Sequence, residues 1–222
     1  MPSVLVTELL DRGALYACLQ SPRLDAVFRW RRARTDAGRP RPFTGLNRRV
    51  ALDVARGLAY LHSRAIVHLD VKSPNVLLAK DFTAKIADVG LARVLAGDAV
   101  ATLTSPAGTL AWMAPEVLVG DSAINDKADV YSYGVVLWEL STHEAPRRPL
   151  RPLGEDDAPA AIRALVDACV SPAAADRPTA AAVVAVLEAM DDDCEPVEAP
   201  AALAQRVSSW AEDKFGGEGT NQ

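Results

Sequence analysis

The sequence predicts a mainly α, α+β fold, in which a helical bundle carries short β-hairpins around one polar loop. Apolar residues recur at helical spacing between residues 46 and 61, and strongly apolar stretches follow in the second half of the chain. Short β-type runs lie on either side of residues 68–75. The 222 residues suffice for one or two domains with a substantial core.

The individual elements follow from these patterns. The stripe at 46–61 is typical of an amphipathic helix that buries one face. Segments without periodicity, at 97–110 and 145–159, are expected to be loops. The elements expected in chain order are a strand at 4–7, a helix beginning at 14, the helix at 46–61, short strands at 66–67, 76–78 and 85–87, and helices at 130–140, 160–170 and 179–190.

The composition limits which domain organisations and which classes of function are possible. Half of the residues are hydrophobic, a quarter are charged and the net charge is −5, as in an ordinary globular protein rather than a basic nucleic-acid binder. No uncharged apolar run reaches the roughly 18 residues of a membrane span, and no signal peptide is apparent. The three cysteines are widely spaced, which predicts reduced thiols and an intracellular protein, cytoplasmic first and nuclear as the alternative. We expect one domain at 1–190 and a flexible acidic tail at 191–222.

The segment 23–49 differs from the rest of the chain. It holds nine arginines against two aspartates, Asp25 and Asp36. Such a run is usually a solvated surface loop. A docking or phosphate-binding patch for a partner is the alternative.

Three short motifs carry the chemistry. His-Leu-Asp-Val-Lys-Ser-Pro-Asn occupies 68–75, Asp-Val-Gly occupies 88–90, and Ala-Pro-Glu occupies 114–116. Each residue alone is typical of a turn or a surface. In order and spacing, however, the three resemble the catalytic loop, the metal-binding loop and the end of the activation segment of eukaryotic protein kinases. From about residue 4 to 190 the chain is similar to a kinase C-terminal lobe, closest to the tyrosine-kinase-like group of serine/threonine kinases.

The resemblance implies ATP and Mg²⁺ as cofactors and protein Ser/Thr hydroxyls as substrates. Asp70 matches the residue that accepts the substrate hydroxyl proton, and Lys72 matches the lysine that steadies the γ-phosphate. Asn75 and Asp88 match the Mg²⁺ ligands. Thr109 matches the threonine of the peptide-docking turn, which would hydrogen-bond Asp70 and Lys72.

Other family positions are implied for nucleotide binding. Thr7 would be the gatekeeper, and Glu8 and Leu10 would form the hinge whose backbone binds adenine. Leu77 would form the floor under the base.

Three further positions are implied to be structural. Glu116 and Arg177 match a buried ion pair, and Asp129 matches a helix-start aspartate that holds the catalytic loop through backbone N–H groups.

The chain also departs from the family. No G-x-G-x-x-G or V-A-I-K segment precedes residue 7, so we expect a truncated form that lacks most of the N-terminal lobe. Leu69 stands where the family usually has an arginine that receives an activation-loop phosphate, so a phosphorylation switch is not expected. Val89 replaces phenylalanine, and the short proline-rich stretch before residue 160 replaces a substrate-docking helix.

Two alternatives to a serine/threonine kinase of signal transduction stay open. One is a catalytically inactive, pseudokinase-like docking module, for which we expect Leu5, Leu10, Leu15 and Leu77 to be uncovered. The other is a gene-prediction product without function.

Overall fold

The computed structural model describes residues 8–21, 45–88, 93–94, 110–121 and 124–190, with only the backbone described at 93–94. The predictions for 4–7, the basic segment up to residue 44, most of the loop at 97–110 and the tail lie outside these residues. The elements are β1 (Gly13–Ala14), α1 (Leu15–Gln20), α2 (Gly45–Ser63), β2 (Ile66–Val67), β3 (Val76–Leu78), β4 (Ala84–Ile86), β5 (Arg93–Val94), α3 (Pro115–Leu118), α4 (Lys127–Thr142), α5 (Ala160–Cys169) and α6 (Ala180–Glu188), with 3-10 turns at Ser73–Asn75 and Ala174–Asp176.

Helix α4 lies at the centre of the described fold. All of its residues are buried, and most positions between 130 and 140 are apolar. Helices α2 and α5 pack against it, and α6 packs on α2. Gly134 permits the contact with α5, because a Cβ at this position would lie 2.7 Å from Cys169 Cβ.

Helix α2 forms as its apolar spacing predicts. Val50, Val54 and Leu58 are buried on one stripe, and this stripe faces α4, α6 and strand β4. The opposite face is more polar and carries Arg56, whose guanidinium pairs with Glu188 of α6 at 2.7 Å. The hydrophobic stripe therefore fixes which side of the helix turns inward.

Two small antiparallel sheets lie around residues 68–75, which are called the polar loop below. Strands β1, β3 and β4 pair in that spatial order, with Leu77 opposite both Ala14 and Lys85. Strands β2 and β5 form the second sheet. The predicted strand at 85–87 lies one residue earlier, at Ala84–Ile86. Because β2 and β3 enter and leave residues 68–75, the loop is held at both ends.

The expectation of a mainly α, α+β fold is confirmed. One expectation about side-chain exposure is wrong. Leu15 was expected to be uncovered, yet it is 0% exposed. Helix α1 packs against β1, β3 and the Ser73–Asn75 turn, and this contact covers the leucine. Leu10 and Leu77 are partly exposed. In the part of the chain described here, no helix combines the length and apolar character that crossing a membrane requires.

Candidate active site

The polar loop holds the carboxylate of Asp70 in a defined setting. Lys72 Nζ lies 2.8 Å from Asp70 Oδ2, and Asn75 Nδ2 donates to the same oxygen at 2.8 Å. Asn75 also donates to the Asp70 carbonyl at 2.9 Å. The other oxygen, Oδ1, is buried and has no hydrogen-bond partner among the described residues. One oxygen is thus fixed by two donors, and the second remains able to accept.

Asp129 anchors the start of this loop. Its two carboxylate oxygens accept hydrogen bonds from the backbone N–H groups of His68 and Leu69, both at 2.7 Å. His62 Nε2 donates to Oδ2 at 2.9 Å. The bonds hold Leu69 at a positive φ of 63°, a conformation that a side chain of this size adopts only under constraint. The expected role of Asp129 is confirmed, and the part played by His62 was missed.

His68 joins the polar loop to the end of strand β4. The backbone N–H of Asp70 donates to His68 Nδ1 at 3.2 Å, so Nε2 carries the proton and donates to the Ala87 carbonyl at 3.2 Å. The N–H of Ala87 in turn donates to the Asn75 carbonyl at 2.8 Å. Asp88, with a positive φ of 62°, follows directly. These bonds place the turn that carries Asp88 beside the turn that carries Asn75.

The donor chemistry of Asn75 and Asp88 fits a hard, small cation. Mg²⁺ prefers oxygen ligands, keeps several waters and commonly shares its site with phosphate oxygens. Within the described ranges, no group of three or more His, Cys, Asp or Glu side chains could hold a metal ion by itself. One carboxylate and one amide therefore suit an ion that arrives with a nucleotide better than a permanently held one.

Leu77, one of the residues predicted for adenine binding, lies in strand β3. Glu8 pairs with Lys85 Nζ, and Lys85 is the cross-strand neighbour of Leu77. The N–H of Arg12 donates to the Leu78 carbonyl at 3.1 Å, which brings the chain after Leu10 to the same sheet. Thr7 and Thr109 lie outside the described residues.

The predicted ion pair between Glu116 and Arg177 is confirmed. Arg177 Nη1 and Nη2 lie 2.6 and 2.9 Å from the two Glu116 oxygens, a bidentate arrangement. Burial tends to raise the pKa of Glu116, but hydrogen bonds from Arg177 outweigh it and hold that pKa below the ordinary value. The pair ties helix α3 to the segment before α6.

Glu139 is a site residue that sequence reasoning missed. It lies in the last turn of α4, where its carboxyl group accepts hydrogen bonds from Ser73 and Trp112. Burial raises the pKa of Glu139 to about 8, and the two hydrogen bonds oppose this shift only in part. A glutamate within the otherwise apolar run at 134–140 was the available signal.

Comparisons with known proteins agree with this geometry. A family model described as protein tyrosine and serine/threonine kinase matches residues 1–187. Serine/threonine-protein kinase CTR1 of Arabidopsis thaliana is 44% identical over 150 residues, which are 67% of this chain and 16% of that protein. Serine/threonine-protein kinase STY46 of the same plant is 38% identical over 149 residues, 67% of this chain and 23% of that protein. A "probable serine/threonine-protein kinase" of Dictyostelium discoideum is 33% identical over 196 residues, 83% of this chain and 19% of that protein.

The chain spans less than a quarter of the length of these curated relatives. The family model, in contrast, covers most of the chain, including every motif of the candidate site. The chain therefore belongs to the protein tyrosine and serine/threonine kinase family.

Proposed function

We propose that this chain carries the phosphoryl-transfer site of a protein serine/threonine kinase, which moves the γ-phosphoryl group of ATP to serine and threonine hydroxyls of proteins in signal transduction. The observation that supports this most directly is the setting of Asp70. Its Oδ2 is held by Lys72 and Asn75, whereas its buried Oδ1 is left to accept a hydrogen bond. A general base needs this combination of fixed geometry and a spare acceptor.

In the proposed reaction, the substrate hydroxyl gives its proton to Asp70 as its oxygen bonds to the γ-phosphorus. The bond from that phosphorus to the β–γ bridging oxygen breaks, and ADP leaves. Lys72, 2.8 Å from Asp70, carries the positive charge that would stabilise the transferred group. Thr109 would hydrogen-bond Asp70 and Lys72 from the peptide-docking turn.

Asn75 and Asp88 would hold Mg²⁺, which neutralises charge on the phosphates when bound. Glu8 and Leu10 would contact adenine through their backbone, and Leu77 would lie under the base. The proposal includes a kinase domain at 1–190 and a separate tail at 191–222. It also includes an intracellular, cytoplasmic setting, which the buried free thiols of Cys18 and Cys169 support.

Leu69 bears on regulation of the same site. It is buried and apolar where an arginine beside Asp70 would receive a phosphate. We therefore propose that activity does not depend on activation-loop phosphorylation. Treatment with a phosphatase before the assay should leave the transfer rate unchanged, and a loss of rate would contradict this point.

The first experiment measures transfer of radiolabelled phosphate to a protein or peptide substrate. Asp70→Asn should remove transfer, since an amide cannot take the proton. Asp156→Asn is the matched control, because Asp156 is an exposed carboxylate in the loop before α5. Equal transfer by the wild type and by Asp70→Asn would refute the proposed base.

A second experiment separates nucleotide binding from chemistry. Binding to the folded state raises the melting temperature by mass action, so Mg·ATP should stabilise the chain. Asp88→Asn should abolish the shift, whereas Asp156→Asn should preserve it. A stable fold with neither a shift nor transfer would reject the enzyme and favour the docking module.

A further inference from the structure

The buried carboxyl group of Glu139 connects two segments that are far apart in sequence. Ser73 Oγ donates to Oε1 at 2.7 Å, and Trp112 Nε1 donates to Oε2 at 2.7 Å. Glu139 itself is 1% exposed. Each oxygen of one carboxyl group therefore serves a different segment.

The two segments belong to different parts of the proposed site. Ser73 adjoins Lys72 and opens the 3-10 turn that ends at Asn75. Trp112 lies three residues after Thr109 and four before Glu116, in the stretch that would face the substrate protein. Glu139 is therefore bonded to both segments at once.

Packing alone does not account for a carboxyl group at this position. Both hydrogen-bond donors are neutral, and burial raises the pKa of Glu139 to about 8. A buried polar group costs free energy unless it is hydrogen-bonded, and an apolar side chain of equal size would fill the space without that cost.

Helix α4 holds the substrate-side segment at a second point. Ser132 Oγ donates to the Trp112 carbonyl at 2.8 Å. Ser132 and Glu139 are seven residues apart, which places them on the same face of the helix. The backbone and the side chain of Trp112 are both attached to α4, so its position is well defined relative to Ser73.

We propose that Glu139 is a positioning residue that couples the substrate-docking segment around Trp112 to the catalytic loop at Ser73. The inference rests on the proposed kinase function for its catalytic consequence, but the coupling itself is a property of the fold. A substrate protein that binds the segment around the buried Trp112 would fix that segment and, through Glu139, hold Ser73 in place. The adjacent Lys72 and Asn75 would then keep their bonds to Asp70.

Two variants of Glu139 distinguish the effect of its two hydrogen bonds from the effect of its charge. Glu139→Gln can keep both bonds, because the amide oxygen can accept from Trp112 and the amide NH₂ group can donate to Ser73 Oγ. Glu139→Met has a similar length and no strong acceptor, so it removes both bonds. Glu139→Gln thus tests whether a neutral side chain that keeps both hydrogen bonds also keeps the coupling between Trp112 and Ser73.

The main test needs no enzymatic activity. In the ¹⁵N-labelled full chain, the indole N–H resonance of Trp112 is identified by its loss in Trp112→Phe. Ser73→Ala should shift this resonance in the wild type and in Glu139→Gln, and it should have no effect in Glu139→Met. If Ser73→Ala does not shift the Trp112 resonance in the wild type, the proposal is wrong. This comparison does not use the methionine variant, so it decides the question even if that variant does not fold.

Transfer kinetics provide the second readout. Glu139→Met should lower kcat and raise KM for the substrate protein together, with a loss in kcat/KM of about tenfold or more, whereas Glu139→Gln should keep most of the rate. A loss in the glutamine variant as large as in the methionine variant would contradict the bridging role. If the wild type shows no transfer activity, the proposed kinase function is wrong. The resonance test would still show whether Glu139 couples Trp112 to Ser73.

Discussion

Removal of Glu116 should destabilise the fold strongly, because it leaves a buried guanidinium without its counter-ion. The side chain of Arg177 is 0% exposed and that of Glu116 is 14% exposed. The two hydrogen bonds between them, at 2.6 and 2.9 Å, are charge-assisted, and such bonds contribute about 1.5–3 kcal/mol each. Loss of one partner of a buried pair costs about 3–5 kcal/mol, which agrees with that sum.

The loss should not exceed this range. Arg177 also donates to the carbonyl groups of Ser171, Pro172 and Lys127, at 2.8, 3.1 and 3.0 Å. These bonds remain in Glu116→Ala and keep part of the guanidinium satisfied. For a domain of this size, the change corresponds to a fall in Tm of roughly 10 °C.

Urea unfolding, with the midpoint and slope fitted separately, measures the effect. Glu188→Ala is the matched control, because the Arg56–Glu188 pair has the same chemistry but its side chains are 54% and 48% exposed. That substitution should cost less than about 1 kcal/mol. If Glu116→Ala costs no more than Glu188→Ala, the buried pair does not stabilise the fold as argued.

The pH dependence gives an independent check on the same pair. The pKa of Glu116 is lowered in the folded state, so its contribution to stability is present above the ordinary glutamate value of 4.5 and is lost as the pH falls through the folded pKa. The difference in unfolding free energy between the wild type and Glu116→Ala should therefore shrink in acid. A difference that stays constant from neutral pH to pH 3 would contradict this linkage.

Three further changes are predicted. Gly134→Ala should cost about 1–3 kcal/mol in urea unfolding, because the new Cβ would lie 2.7 Å from Cys169 Cβ. Thr179→Ala should cost about 1 kcal/mol, because the threonine oxygen caps α6 by accepting from the Ala182 N–H at 3.1 Å, and Thr179→Ser should restore most of that loss. Burial raises the pKa of Glu139 from 4.5 to about 8, so its contribution to stability is full below pH 4.5 and is lost as the pH rises through about 8. Glu139→Gln should remove this decline, which amounts to at most about 5 kcal/mol.

Each of these three predictions has an outcome that would contradict it. An unchanged urea midpoint for Gly134→Ala would mean that α4 and α5 can separate at little cost. A Thr179→Ser variant as unstable as Thr179→Ala would show that the hydroxyl cap is not the source of the effect. Parallel pH profiles for the wild type and Glu139→Gln would show that this carboxyl group titrates normally.

Local patterns predicted much of the fold. The stripe that includes Val50 and Val54 gave the correct buried face of α2, because helical periodicity acts within one element. The polar loop was also placed correctly between its strands, since apolar runs flank it on both sides. The resemblance to kinases added the pair of Glu116 and Arg177, which spacing alone does not show.

The remaining site contacts depend on tertiary structure. Glu139 and Ser73 are 66 residues apart, and His62 and Asp129 are 67 residues apart. No periodic pattern connects residues at such separations, so neither contact could be derived from the sequence. Leu15 was misjudged for the same reason, because this first residue of α1 is covered only where α1 packs against β3 and the Ser73–Asn75 turn.

The complete burial of α4 has a consequence for how the site is lost on heating. Asp129 at its beginning and Glu139 near its end hold the polar loop at 68–75, and both side chains belong to a helix that has no exposed face. Because these bonds attach the loop to the interior, the loop should not melt while the interior survives. Inactivation and global unfolding should therefore coincide in a single cooperative transition, and mutations far inside the protein will alter catalysis and thermal tolerance together.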